Sequence, residues 1–137
     1  MSRITFVTIA GKNYPMSFSL GASKKIIEKY GGAEKMKNSL KKAKDAQKID
    51  MVTEMLELLI AQGCAYKNYF EKDIPVPENS PVVDGKWTPI PREALEIAVG
   101  VYDVEELSNK ILECVGKGSK KEVETISEGK NANGGQE

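Results

Sequence analysis

The side chains in this sequence that could do covalent or proton chemistry are few. Cys64 and Cys114 are its only thiols, and none of the 137 residues is His. Without imidazole, the group that most readily exchanges protons near neutral pH is missing, and so is the commonest metal ligand. A Ser-His-Asp triad, a Cys-His nucleophile and a His-bearing zinc site are all excluded. The two cysteines stand far apart with no CxxC spacing, so they read as reduced, buried thiols, with a single bridge between them left open. Glu54 with Glu57, and Glu105 with Glu106, are the clustered carboxylates within predicted structure. Catalytic pairs need surroundings that split their pKa values; these positions suit solvated helix acids and dipole partners instead. Gly116-Lys117-Gly118-Ser119 holds the residue types of a phosphate loop in the wrong order and behind a helix, which predicts a helix stop. No nucleophile, base and orienting group come together. The expectation is a non-enzyme with no cofactor and no metal site.

Charge narrows the partners. Twenty Lys and Arg balance twenty Asp and Glu, so no uniform field concentrates nucleic acid or anionic lipid. Residues 24–48 hold nine lysines against Glu28, Glu34 and Asp45. They lack the Arg that reads bases and the free aromatics that stack on them. That stretch reads as a solvated face, with Lys41 and Lys42 as candidates for docking an acidic partner, and nucleic acid is disfavoured. Met51, Met55 and Leu59 have the soft, adaptable chemistry of a groove that accepts helices or extended segments, against a default of core packing. No segment reaches the ~18 apolar residues of a membrane span, and the first six residues lack the layout of a secretion signal. The expected location is the cytoplasm.

The elements that must position these side chains follow from periodicity. Arg3 to Ile9, rich in β-branched and aromatic types, and Tyr14 to Ser19, with two-residue alternation, predict a hairpin over residues 3–19 that turns through Ala10-Gly11-Lys12-Asn13. Pro15 assigns the second strand to an edge. Ser19 can cap a helix whose inner face is Ala22, Ile26, Ile27 and Tyr30, stopped by Gly31-Gly32. Ala33, Met36, Leu40 and Ala43 mark a thin apolar stripe on the next helix. Val52, Met55, Leu56, Leu59, Gly63, Tyr66 and Phe70, widened by Met51, Leu58 and Ile60, predict the central helix. Residues 71–91 hold five of the six prolines and the only Trp, Trp87. They read as a loop with a small Asp84-Gly85 hairpin. Helices return over residues 92–116, with Leu95, Ala98 and Val99 inward on the first and Asp103 capping the second, which buries Val104, Leu107, Ile111 and Val115. The fold class is α+β, predominantly helical, with the hairpin packed on four to five helices. One domain spans residues 1–118, and residues 119–137 read as a disordered tail.

Within residues 4–30, the hairpin residues Ile9 to Met16 with Phe18, the step Ser19-Leu20-Gly21-Ala22 and the helix end Glu28-Lys29-Tyr30-Gly31 resemble phage and prophage tail assembly chaperones. The long apolar helix, the final amphipathic helix and the charged tail are similar in layout, and the Pro-rich loop is a departure. The resemblance implies a non-enzymatic assembly factor of the host bacterial cytoplasm. It would coat the tape-measure protein, recruit tail-tube subunits and leave before the tail is finished, with self-association compatible with that role. Tyr30, Met51, Met55, Leu59, Tyr66, Trp87, Lys41 and Lys42 are the candidate partner contacts. The rival expectations are another phage structural protein, such as a tail-completion or head–tail connector subunit, and a small nucleic-acid-binding regulator using the Lys-rich face.

Overall fold

The computed structural model describes residues 3–128, with side chains described through residue 118. Strands β1 (Thr5–Ile9) and β2 (Lys12–Met16) form an antiparallel hairpin joined by Ala10-Gly11. Both turn residues have positive φ, 51° and 78°, as in the type I′ connection whose twist matches the flanking strands. A two-residue turn makes Ile9 and Lys12 a hydrogen-bonded pair, and antiparallel alternation makes Val7–Tyr14 and Thr5–Met16 the next such pairs. Phe6 opposite Pro15 and Thr8 opposite Asn13 fall between them, so their backbone N–H and C=O groups point away from the partner strand. Pro15 thus stands where a missing N–H costs no ladder bond. The outward groups of the β2 side are used: Asn13 N–H donates to the Asn79 carbonyl (2.8 Å) and Ser17 N–H to the Leu59 carbonyl (3.1 Å).

Five helices follow among the described residues. Helix α1 (Leu20–Tyr30) begins where Ser19 Oγ accepts the Ala22 N–H (3.1 Å), and it ends at Gly31 with φ 94°. Helix α2 (Ala33–Lys42) buries Met36 and Leu40, with Ala43 just beyond, as its stripe predicts. Helix α3 (Asp45–Phe70) is the central element: α1, α2, β2, α4 (Arg92–Ala98), α5 (Val104–Glu128) and the strand β4 (Lys86–Trp87) all pack on it. Its residues Val52, Met55, Leu56, Leu59, Ile60 and Cys64 are almost wholly inside. Gly63 permits this arrangement. A Cβ there would lie 2.1 Å from the Pro15 carbonyl oxygen, so α3 runs against β2 at a distance only a glycine allows.

The Pro-rich segment contains the expected small hairpin, β3 (Val82–Val83) with β4, turning through Asp84 and Gly85 at φ 51° and 78°. The Asn68 side chain of α3 holds it. Its Oδ1 accepts the Trp87 N–H and its Nδ2 donates to the Trp87 carbonyl, both at 2.9 Å. Helix α4 is held on α3 by Glu57, whose Oε2 accepts the Arg92 N–H (3.2 Å), and by Asp50, which meets the Arg92 guanidinium at 3.1 Å. The carboxylates of α3 are therefore structural partners: a negative group at a helix start complements the exposed N–H groups and dipole there.

The structure corrects several expectations: the first turn narrows to Ala10-Gly11, so the second strand runs Lys12–Met16, and Ala98, expected inward, is exposed. Helix α4 ends at Ala98, and a 3-10 turn (Val101–Asp103) intervenes before α5. Asp103 turns backward to accept the Gly100 N–H (2.9 Å) instead of capping forward. Ile27 of α1 is exposed because four-residue spacing from Ala22 carries the buried line to Ile26, about 100° round the helix from Ile27, and Phe70, the last residue of α3, is exposed as well. The helix stop at Gly116–Ser119 does not form: α5 continues to Glu128. Glycine ends a helix when its backbone turns to positive φ, and neither Gly116 nor Gly118 does so. A Cβ on Gly118 would come within 2.8 Å of the Phe18 ring, so that glycine serves close packing. Of the expected disordered segment, residues 129–137 lie outside the described residues.

Candidate partner-binding surfaces

The residues expected to contact a partner do not form one surface. Met51, Met55, Leu59 and Trp87 are core residues, each at most 8% exposed. The Met-lined groove therefore does not exist in the folded chain; the hairpin, α1, α4 and α5 fill the space over that face of α3. Tyr30 is half-buried, with its hydroxyl donating to Glu54 Oε1 (2.9 Å) while Lys29 meets Glu54 Oε2 (2.6 Å). Burial, then that hydrogen bond and the Glu54 charge, push the Tyr30 hydroxyl up to about 12. Tyr66 is half-buried and packs on Phe70, ring centroids 5.2 Å apart, with the Arg3 guanidinium 5.8 Å from its centroid. Lys41 and Lys42 are exposed on the last turn of α2.

Apolar surface is left uncovered elsewhere. On α1, Leu20 is 88% and Ile27 56% exposed. Seven residues apart, they share a face, and with Gly21, Ser23, Lys24 and Glu28 they line a shallow trough formed by this helix alone and open to solvent. Helix α1 can hold these side chains out because its opposite face is anchored by Ala22 and Ile26, and because Ser19 both caps it and donates its hydroxyl to Gln62 of α3. A second apolar group projects where α4 meets the 3-10 turn: Ile97 is 81%, Val101 78% and Tyr102 100% exposed. The end of α3 contributes a third, with Tyr69 and Phe70 outside. Lys67 lies between Phe6 and Trp87, its Nζ 5.4 Å and 5.3 Å from their ring centroids. Periodicity alone did not mark Leu20 and Ile27; the available signal was the surplus of apolar residues on α1 beyond the two that a short helix can bury.

The thiols offer no reactive centre. Cys64 and Cys114 are both free and buried. Burial pushes the Cys64 thiol up to about 12. It pushes Cys114 up to about 11, against the opposing pull of the Thr5 hydrogen bond and Lys117. A neutral thiol is a poor nucleophile. Iodoacetamide at pH 8 should therefore label the folded chain about 100-fold or more slower than the urea-unfolded chain. Above pH 9 the unfolded thiols lose their protons before the folded ones do, so stability falls as pH rises from 9 toward 11 to 12. Urea midpoints measured at pH 8 and pH 10 should show this decrease.

No family model, curated protein or solved structure matches this chain. Among the described residues, no group of three or more Cys, Asp and Glu is placed to hold a metal ion, and no helix is long and apolar enough to cross a membrane.

Proposed function

We propose that the protein is a phage tail assembly chaperone that shields an apolar helical stripe of the tape-measure protein and helps recruit tail-tube subunits, without catalysing a reaction. The observation that carries this reading is the α1 trough. Leu20 and Ile27 are held outward on a capped, anchored helix, where an amphipathic segment of another chain can cover them. Full burial of such a side chain contributes ~1.5–3 kcal/mol, enough for two of them to anchor a transient complex. Lys24 and Lys25 are exposed on the same helix, and they suit acidic residues flanking the incoming stripe. The residue order across the hairpin and α1, which resembles that of tail assembly chaperones, supports the same reading.

The test is co-expression with the tape-measure protein that this reading expects a neighbouring gene to encode. The wild type is expected to keep that protein in the soluble fraction and to co-purify with it. A chain carrying Leu20→Glu and Ile27→Glu is expected to lose it while keeping its own Tm within a few degrees, since Leu20 is almost wholly and Ile27 more than half in water. A tape-measure protein that precipitates equally with and without the wild-type chain would refute the proposal. Mass spectrometry of finished particles should find the chain absent, whereas a tail-completion or connector subunit would remain in them.

A further inference from the structure

We propose that the outer edge of β1 is a second binding site, which takes an extended, basic segment of a partner protein as a third strand of the hairpin sheet. The site lies away from the α1 trough and does not rest on the tape-measure reading.

The backbone makes the first half of the case. The hairpin register turns the N–H and C=O groups of Phe6 and Thr8 away from β2. The corresponding outward N–H groups on the other side, at Asn13 and Ser17, are taken by Asn79 and Leu59. Phe6 and Thr8 make no backbone hydrogen bond outside the hairpin among the described residues. An edge with alternate free donors and acceptors is a template for strand addition.

The surroundings make the second half. A cleft of about 350 Å³ runs along residues 6–10 of this edge, with Val99 and Leu107 on its far side and Asp103, Glu106 and Lys110 lining it as well. Residues of α4 and α5 line this cleft together with the strand edge. The exposed Phe6 and the half-buried Val99 offer apolar surface to the incoming strand. The charge is set by the acids. Lys110 leans toward Glu113, 3.8 Å away, and Glu105 toward Lys48, 3.7 Å away. Glu106 makes no ion pair among the described residues, and Asp103 keeps its charge while its Oδ2 holds the Gly100 N–H, so this lining calls for Lys or Arg on the segment that enters the cleft.

The experiment selects a random heptapeptide library on the full chain and follows amide hydrogen exchange by NMR. In the free protein the Phe6 and Thr8 amides should exchange fast while Val7 and Ile9 are protected. Enriched peptides should alternate apolar and polar residues, carry Lys or Arg, and slow exchange at Phe6 and Thr8 about tenfold or more. Glu106→Lys should weaken the basic peptides about tenfold. The same selection on the Leu20→Glu, Ile27→Glu chain should enrich the same peptides, which separates this site from the trough. Slow exchange at Phe6 and Thr8 in the free chain, enrichment of peptides that protect α1 instead, or no enrichment at all would each overturn the proposal.

Discussion

Gly63→Ala is expected to destabilise the domain by about 3 kcal/mol or more. The added Cβ would stand 2.1 Å from the Pro15 carbonyl oxygen, 2.4 Å from its carbon and 2.9 Å from the Met16 nitrogen. All three are backbone atoms, so no rotamer change relieves the clash. Helix α3 has to move away from β2, which breaks the Ser17 N–H to Leu59 carbonyl bond (3.1 Å) and loosens Met16 and Leu59, both fully buried. Against this the substitution gains only about 1 kcal/mol of helix propensity. Gly116→Ala provides the control. That glycine is also helical, and a Cβ there meets nothing within 4 Å, so propensity acts alone and a gain of about 1 kcal/mol is expected. Urea unfolding followed by far-UV circular dichroism should show the two glycine substitutions with opposite signs. Equal midpoints would show that the α3–β2 approach is not as close as described.

Asn68→Ala should cost about 2–3 kcal/mol and free the Pro-rich segment from the helix. The Asn68 amide satisfies both backbone groups of Trp87, as a neighbouring strand would. Its removal loses two bonds of ~0.5–1.5 kcal/mol each and leaves part-buried groups in need of water. Asn68→Asp tests the same contact more finely: the acceptor toward the Trp87 N–H is kept, but a carboxylate oxygen then faces the Trp87 carbonyl. Because Trp87 is the only Trp and is buried, its fluorescence reports the outcome directly. A red shift and greater quenching by acrylamide are expected for Asn68→Ala at urea concentrations that leave the helical signal intact. An unchanged emission spectrum would mean that apolar packing alone holds β4.

The single Trp illustrates how far residue types carry. An aromatic residue in a proline-rich stretch reads as an exposed contact, yet the structure buries it in the core, its backbone held by an asparagine that no pattern singles out. Tyr30 behaves similarly. Its helical position suits both the inner face and a partner contact, and it lies half-buried because Glu54 of α3 takes its hydroxyl. The central helix was legible as such, since it is apolar around most of its circumference. That same feature concealed its function: a residue on an all-round apolar helix can equally face the core or a partner, and Met51, Met55 and Leu59 proved to face the core.

While the first turn is two residues shorter than the sequence suggests, local chemistry alone was enough to specify the hairpin, the Ser19 cap, the Gly31 stop, the β3–β4 turn and the α+β class. Each depends on a few adjacent residues whose allowed φ/ψ and periodicity are short-range properties. Tertiary packing decided which apolar residues remain outside, which glycine is indispensable and which way Asp103 turns. It also decided that Gly116 and Gly118 stay helical. Those outcomes depend on what stands opposite each residue across the core, and a one-dimensional pattern carries no record of its neighbours in space.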